Sequence, residues 1–339
     1  MKKKGRVISS IVAISIMGAI AFSINNRVEA DAVKIRLGGS TRYETAVETS
    51  KQGWPSGSKT IVLVCGADYP DALSAAPLAK KYNAPILLTE KNALSTAVSN
   101  EISRVKPSKA YIVGGESVIS KNAEAQLKSK GITVDRISGL NRYETAVNVA
   151  KQVGTTNGVV LASGKSFADS LSVAPVAANL GMPILLTDKD SLNSSNKTFI
   201  ENHNIPKTYV IGGSSVISDA NMKNYKNPQR IAGLDRYETN IQVLNTFSGN
   251  INLSKIYLAS GRNFPDGLVG APIAALTSSP IILTEETGGY YPKVLNRIKG
   301  IKSDQVLILG GNTVISDNIV NKVLESVNYE EKFKVLSIE

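Results

Sequence analysis

Residues 36–46 read RLGGSTRYETA, and two later stretches repeat the pattern, RISGLNRYETA at 136–146 and RIAGLDRYETN at 230–240. The three stretches begin 100 and 94 residues apart. Similarity at a nearly fixed spacing indicates that the chain contains several copies of one structural unit.

Three further segments recur in the same order within each copy. PILLT at 85–89 returns at 183–187, and as PIILT at 280–284. An aspartate followed by leucine two residues later occurs once per copy, and so does a glycine pair followed by Val-Ile-Ser; these residues are Asp71, Asp169 and Asp266, and Gly114–Gly115, Gly212–Gly213 and Gly310–Gly311. The pattern predicts repeats at 31–134, 135–228 and 229–339, which account for the whole chain after residue 30.

Within each copy, short apolar runs alternate with segments of helical spacing. Runs such as Ile61–Val64, Pro85–Leu88 and Ala110–Val113 are typical of strands buried on both faces. Alternating strands and helices predict an α/β fold with a parallel sheet in each unit, joined by right-handed crossovers. The strand-like tail Lys332–Ile338 is expected to close the third unit as Val134–Ser138 closes the first.

The first thirty residues have the layout of a secretory signal peptide. A basic start, Lys2–Arg6, precedes an apolar run, Val7–Phe22, and Val28-Glu29-Ala30 places small residues at the two positions that a signal peptidase reads. The run has 16 residues, whereas a membrane-spanning helix needs about 20. We therefore expect residues 1–30 to be an export signal, with no membrane span after its removal.

Composition narrows the class of function. The chain has one Cys and one His, which disfavours disulfide scaffolds and most zinc hydrolases, and we expect no cofactor or metal. The net charge is +11, of which residues 1–30 contribute +4, leaving +7 spread along the remaining chain. This mild excess favours a polyanionic partner and, with no block of like charges, predicts no nucleic-acid-binding arm.

Taken together, the RxxGxxRYETA, F/Y-x-D-x-L, PILLT and GGxxVIS segments resemble the clostridial cell-wall-binding repeat 2 family. The resemblance covers essentially all of the chain after residue 30. It implies three tandem Rossmann-like units around a pseudo-threefold axis. It also implies a secreted, non-catalytic protein of the cell wall or cell surface, held non-covalently on anionic wall polymers, either teichoic-acid-like or polysaccharide.

Two other functions remain open. Some chains with these repeats carry an amidase label, so a peptidoglycan hydrolase or a modifier of autolysins is the main alternative. A surface protein that assembles into a layer is the third hypothesis.

The RYET segment predicts the start of a helix. Thr41, Asn141 and Asp235 stand at the N-cap position with glutamate three residues later, which is the pattern of a capping box. The arginine after each cap is unexpected, because a cation in the first turn opposes the helix dipole. We expect each arginine either to pair with a carboxylate across a repeat interface or to face an anionic ligand; these residues are Arg42, Arg142 and Arg236, and Arg36, Arg136 and Arg230 raise the same question.

The three aspartates and the glycine pairs follow predicted strands at their carboxyl ends. Ligands of open α/β sheets gather at these ends, and glycines followed by helix amides are suited to anions. We therefore expect them to contact phosphate or carboxylate groups of the polymer. The alternatives are that the aspartates only stabilise the start of the next helix and that the glycines only form tight strand-to-helix turns.

Overall fold

The computed structural model describes residues 32–285, 291–327 and 329. The predicted export signal, 1–30, and the strand-like tail, Lys332–Ile338, lie outside the described residues. In the described part of the chain, no helix is long and apolar enough to cross a bilayer.

Strands and helices alternate along nearly the whole described chain. The strands are β1 Val33–Leu37, β2 Thr60–Cys65, β3 Ile86–Thr89, β4 Lys109–Val113, β5 Thr133–Ile137, β6 Val159–Ser163, β7 Ile184–Thr187, β8 Thr208–Ile211, β9 Pro228–Ile231, β10 Lys255–Ser260, β11 Ile281–Thr284 and β12 Gln305–Leu309. The α-helices are α1 Arg42–Gly53, α2 Ala75–Lys81, α3 Thr96–Val105, α4 Lys121–Lys128, α5 Arg142–Val153, α6 Ala168–Asn179, α7 Ser194–Asn202, α8 Asp219–Met222, α9 Arg236–Thr246, α10 Pro265–Leu276, α11 Tyr291–Ile298 and α12 Asp317–Ser326. A 3-10 turn, Ala72–Ser74, leads into α2, and a second one, Ser248–Asn250, follows α9.

These strands form three parallel four-stranded sheets of one topology, with the orders β3-β2-β4-β5, β7-β6-β8-β9 and β11-β10-β12-β1. Strands β2 and β6 are buried along their full length, as expected for strands covered by helices on both faces. The α/β fold with parallel sheets, predicted from the apolar runs, is confirmed.

Each sheet takes its fourth strand from the start of the following repeat. Strand β5 pairs with β4 in the first sheet, and β9 pairs with β8 in the second. In the third sheet this place is occupied by β1, which pairs with β12 from Val33↔Gln305 to Leu37↔Leu309. The place expected for the tail, beside β12, is therefore filled by the first strand of the described chain, and the three sheets close into a ring.

The centre of the ring consists of three helices that contact one another, α2, α6 and α10. Every residue of α6 from Ala168 to Ala178 is buried, and so is every residue of α10 from Pro265 to Ala275. A helix that is buried on all sides must be apolar all round, and the many alanines allow close approach.

Three aromatic side chains, one from each repeat, meet where these central helices begin. The ring centroids of Tyr69, Phe167 and Phe264 lie 5.5–6.3 Å apart, and the Tyr69 hydroxyl donates to the Lys165 carbonyl oxygen at 3.1 Å. Because the three residues occupy equivalent positions, they mark the pseudo-threefold axis. The carboxyl ends of β2, β6 and β10 therefore converge on this axis.

Candidate functional site

The sequence-predicted residues come together at the junctions between repeats. At the junction of the first and second repeats, a cleft of about 150 Å³ lies among the loop after β2, the glycine-pair loop after β4 and the start of α5. Its lining includes Asp68, Asp71, Ser117, Asn141 and Arg142. Two of the expected residues, Asp71 and Arg142, thus face one cleft from different repeats.

The same loops meet at the junction between the third and first repeats. A Cβ added at Gly38 would lie 2.6 Å from the Gly310 carbonyl oxygen, and one added at Gly311 would lie 3.4 Å from the Gly39 oxygen. The glycine-pair loop of one repeat therefore packs directly against the segment that precedes α1. This contact depends on the ring closure by β1.

The helix starts confirm the predicted N-caps. Thr41 and Glu44 form a complete capping box. The Asn141 and Asp235 side chains accept from the amides of the two residues after the arginine. In these two copies the glutamate accepts instead from the amide before the cap, as Glu144 does from Leu140 at 2.9 Å. The glutamates are therefore engaged in ordering the loops that border the clefts.

The three arginines at the helix starts tie each helix to the neighbouring strand of its own repeat. Nη1 donates to the carbonyl oxygen of the glycine after the second strand of the repeat, at 2.5, 2.6 and 2.5 Å for Arg42, Arg142 and Arg236. The Arg42 guanidinium also lies 5.7 Å from the Phe264 ring centroid, and Arg236 lies equally far from Phe167. Among the described residues, none of the three forms an ion pair within 4 Å, so the neighbouring repeat contributes an aromatic face and a more distant carboxylate.

The carboxylate partners belong to the preceding repeat and are partly removed from water. Burial raises the pKa of Asp169 to about 6, against the opposing effect of Arg236. Burial likewise raises the pKa of Asp71, where a hydrogen bond from Thr145 and the charge of Arg142 oppose it. The pKa of Asp266 is raised by burial too, and Thr45 and Arg42 act in the opposite direction. Each aspartate therefore interacts with an arginine across a repeat junction, although not in direct contact.

The first glycine of each pair is required by the aspartate beside it. A Cβ at Gly212 would lie 2.6 Å from Asp169 Oδ2, and one at Gly310 would lie 2.7 Å from Asp266 Oδ2. The first glycines also have positive φ, +131° at Gly114 and +112° at Gly212 and Gly310, which disfavours side chains. Their amides donate to the last residue of the adjoining strand, as Gly114 does to Ile137 at 2.9 Å. These amides are consequently used by the sheet. The positive φ and the nearby aspartate both explain the first glycine, and a ligand contact by it stays a prediction.

The other three arginines secure the glycine-pair loops. Arg136 donates through Nη1 to the carbonyl oxygens of Gly114 and Ile119, both at 2.8 Å, and pairs with Glu124. Arg36 and Arg230 make the equivalent bonds to the other two glycine-pair loops. They pair with Asp317 and Asp219, the first residues of α12 and α8. This bonding accounts for their recurrence, and a ligand contact by them stays a prediction.

Recurrence alone did not identify the exposed leucines beside the clefts. Leu140 is 95% exposed and Leu234 is 92% exposed, and the equivalent residue of the first repeat is Ser40. A search for residues shared by all three copies passes over such a position. A leucine between a glycine and an N-cap residue could have predicted this exposed position, because no core position is expected there.

Comparison with known proteins agrees with this architecture. The family model "Cell wall binding domain 2 (CWB2)" matches residues 36–124, 136–222 and 230–320. The chain is similar to Cwp6 from Clostridium difficile, with a TM-score of 0.81 and 31% identity over 89% of this chain and 49% of that one. Cwp8 from the same organism gives a TM-score of 0.77 and 31% identity over 88% of this chain and 52% of that one.

Two curated relatives come from Bacillus subtilis. The N-acetylmuramoyl-L-alanine amidase LytC is 36% identical over 95% of this chain, and the Amidase enhancer is 34% identical over 87% of it. The chain spans 64% and 40% of the lengths of these relatives. With three consecutive matches that span most of its length, the chain belongs to the Cell wall binding domain 2 (CWB2) family.

Proposed function

We propose that this protein is exported and attaches non-covalently to anionic secondary polymers of the wall, through clefts at its three repeat junctions. The observation that carries the proposal is the junction itself, where an aspartate of one repeat and an arginine of the next border the same space. A junction of this kind recurs around the ring, so one polymer has several equivalent points of contact. Sites of about millimolar strength gain ~10²–10⁴ in avidity when linked on one frame.

The chemistry of the first cleft suits a charged glycan. Its lining combines carboxylates, the Ser117 hydroxyl and the Asn141 amide with a guanidinium. The hydrogen bond of Arg142 to the Gly164 carbonyl oxygen uses only Nη1, which leaves Nη2 and Nε for phosphate or carboxylate oxygens. The acceptors suit sugar hydroxyls. A polymer that carries both groups would engage both sides of the cleft.

The alternative, a peptidoglycan hydrolase or a modifier of autolysins, is favoured by the names of the two B. subtilis relatives. The matched segments are those of a cell-wall-binding domain, and they account for both alignments in large part. Nδ1 of His203, the single histidine, donates to the Phe199 carbonyl oxygen at 2.9 Å, and the imidazole stacks on the Phe199 ring. We therefore propose a binding role without catalysis.

Retention on washed cell walls tests the proposal. One wall sample keeps its anionic polymers and the other is stripped of them, leaving bare peptidoglycan. The wild-type protein should bind only the intact walls, and it should be released by high salt but not by detergent, because exposed charges are screened within ~8 Å at physiological ionic strength. Equal binding to both samples would contradict the proposed polymer and favour peptidoglycan.

The cleft is tested with the triple variant Arg42→Ala, Arg142→Ala, Arg236→Ala. A matched control removes the same charge from exposed helical lysines, Lys121→Ala, Lys151→Ala, Lys197→Ala. The arginine variant should lose wall retention while its circular dichroism spectrum remains native, and the control should be retained. Unchanged retention of a folded arginine variant would refute the assignment of the clefts.

A further inference from the structure

The charges of the folded protein separate between the two ends of its strands. We call the described loops that lead from a helix into a strand the amino-end loops. They contain eight lysines and a single acid, Asp304; the lysines are Lys59, Lys106, Lys130, Lys207, Lys223, Lys226, Lys299 and Lys302. The net excess of positive charge, which is spread along the sequence, is thus concentrated at one end in the fold.

The opposite end has the reverse balance. We call the described loops that lead from a strand into a helix the carboxyl-end loops. They contain eight acids and four bases; the acids are Asp68, Asp71, Glu90, Glu116, Asp188, Asp190, Asp235 and Glu285, and the bases are Lys91, Lys165, Lys189 and Arg262. These loops border the candidate clefts. Long-range electrostatic attraction would therefore bring a polyanion to the amino-end loops first.

Parallel pairing sets the lysines in rows. In the first sheet, Lys59, Lys106 and Lys130 precede β2, β4 and β5, which are neighbours in the order β3-β2-β4-β5. Adjacent strands lie about 5 Å apart, so the three loops present cations along one edge of the sheet. In the second sheet, Lys207 and Lys226 precede the neighbouring strands β8 and β9 in the same manner.

Within the described residues, no carboxylate pairs with the lysines of the first two rows. Lys59, Lys106 and Lys130 are exposed, and neither they nor Lys207, Lys223 and Lys226 form an ion pair within 4 Å. Lys130 donates to the Ser103 hydroxyl at 3.3 Å, and Lys226 to the His203 carbonyl oxygen at 3.2 Å. These contacts leave the positive charges uncompensated.

A hollow lies beside the first row. It has a volume of about 420 Å³ and is lined by residues 55–59 and 104–106, which include Lys59 and Lys106. The rest of its lining consists of Ser56, Gly57 and Ser58 together with Pro55, Arg104 and Val105. A site with two ammonium groups and no large apolar side chain suits a hydrated phosphate better than a lipid tail.

We propose that the amino-end loops form a second contact surface, which binds a linear phosphate-bearing polymer of the wall through its rows of lysines. This inference deepens the proposed function and rests on it. The polymer contacts lysine ammonium groups as point charges at this end, whereas the clefts at the other end recognise individual polymer units. The row geometry favours a linear polyanion over a membrane, because the turn residues between the lysines offer nothing to insert into a bilayer.

Linear inorganic polyphosphate immobilised on a biosensor is the probe for this surface. The test variant is Lys59→Gln, Lys106→Gln, Lys130→Gln, and the control is Lys91→Gln, Lys121→Gln, Lys189→Gln, which removes the same charge from the carboxyl end. Each phosphate that a lysine neutralises is expected to add about 0.7 to the slope with which the logarithm of the affinity falls against the logarithm of the salt concentration. With three such lysines, the wild-type protein should lose roughly 15- to 20-fold more affinity between 50 and 200 mM NaCl than the test variant. The control should behave like the wild-type protein.

Three results would overturn the inference. The first is equal loss of salt dependence in both variants, and the second is no loss in either. The third is wild-type binding to vesicles with 30% phosphatidylglycerol but not to polyphosphate. Wall retention separates this inference from the proposed function: a lysine variant that loses polyphosphate affinity but keeps full wall retention contradicts a role of the lysine surface in the wall, whereas polyphosphate binding by the wild-type protein without any wall retention contradicts the proposed function instead.

Discussion

Replacing Gly212 with alanine should destabilise the protein much more than replacing its neighbour Gly213. Gly212 has φ of +112°, and the new Cβ would lie 2.6 Å from Asp169 Oδ2 and 2.7 Å from Val216 Cγ2. At Gly213 the nearest contact would be Ser215 Oγ at 3.7 Å, and this glycine has no positive φ. The two substitutions add the same methyl group one residue apart.

The magnitude follows from two effects. A side chain in the left-handed region costs about 1–2 kcal/mol, and forcing a methyl group into a packed site typically costs another ~1–3 kcal/mol. We therefore expect Gly212→Ala to lower the free energy of unfolding by about 2–5 kcal/mol, a large part of the roughly 5–15 kcal/mol of a native protein. For Gly213→Ala the expected loss is below ~0.5 kcal/mol, as for an ordinary surface substitution.

Urea unfolding followed by circular dichroism measures both free energies. A double-mutant cycle adds the cause: in an Asp169→Ala background, where Oδ2 is absent, Gly212→Ala should cost about 1–2 kcal/mol less, because the contacting atom has been removed. Equal stability of the two glycine variants would refute the close packing of the glycine-pair loop on Asp169. An unchanged cost in the Asp169→Ala background would assign the loss to φ and to the contact with Val216.

Three further outcomes are expected. Burial raises the pKa of Asp169 to about 6, above its unfolded value, so the unfolded state binds fewer protons than the folded state. The free energy of unfolding should therefore fall as the pH rises from about 4 to 6, by at most roughly 3 kcal/mol. Urea unfolding at pH 4.5 and 7 measures this difference, which Asp169→Asn should reduce. Arg136→Ala should lower the free energy of unfolding by about 2–3 kcal/mol, since it removes two hydrogen bonds to carbonyl oxygens and the pairing with Glu124. Arg136→Lys should restore only part of this loss in thermal unfolding, and full rescue by lysine would contradict the need for a guanidinium that bonds several acceptors at once. Leu140→Ser should change the free energy of unfolding by less than ~0.5 kcal/mol in either direction, because this side chain is 95% exposed. A larger loss would contradict the exposure of the Leu140 side chain.

Local features of the fold were predictable because their causes lie within a few residues. The strands are apolar on both faces, so β2 and β4 coincide closely with the runs Ile61–Val64 and Ala110–Val113. The cap of α1 needs only Thr41 and Glu44, three positions apart. Patterns of this range are complete in the sequence itself.

The arrangement of the repeats was beyond such patterns. The pairing of β1 with β12 joins residues some 270 apart, and nothing in the composition of Val33–Leu37 distinguishes it from the tail as a partner. The predicted boundaries at 134/135 and 228/229 fall inside β5 and β9, because the first strand of each repeat pairs with the sheet before it. The position of these boundaries as unit limits stays a prediction.

The candidate site was predictable only as a set of residue types. Recurrence predicts the same role for Arg36 and Arg42, yet Arg36 donates to two loop carbonyl oxygens and pairs with Asp317, whereas Arg42 donates through Nη1 to the Gly66 carbonyl oxygen. Both are arginines that follow the same spacing in every copy. Only the contacts in the structure separate an arginine that stabilises a loop from one that we propose as a ligand contact.

Because each sheet takes its fourth strand from the following repeat, every junction is built from two repeats. The cleft at the first junction combines Asp71 and Gly115 of one repeat with Asn141 and Arg142 of the next, and an aspartate interacts with an arginine of the next repeat at the other two junctions as well. A single repeat therefore contributes to two junctions and contains no complete one. The third junction exists only because β1 returns to β12 and brings Gly38 against Gly310. Closure of the ring is therefore what makes three repeats yield three junctions rather than two. Under the proposed function, a variant that weakens the pairing of β1 with β12 should lose binding at the third junction before it loses binding at the first.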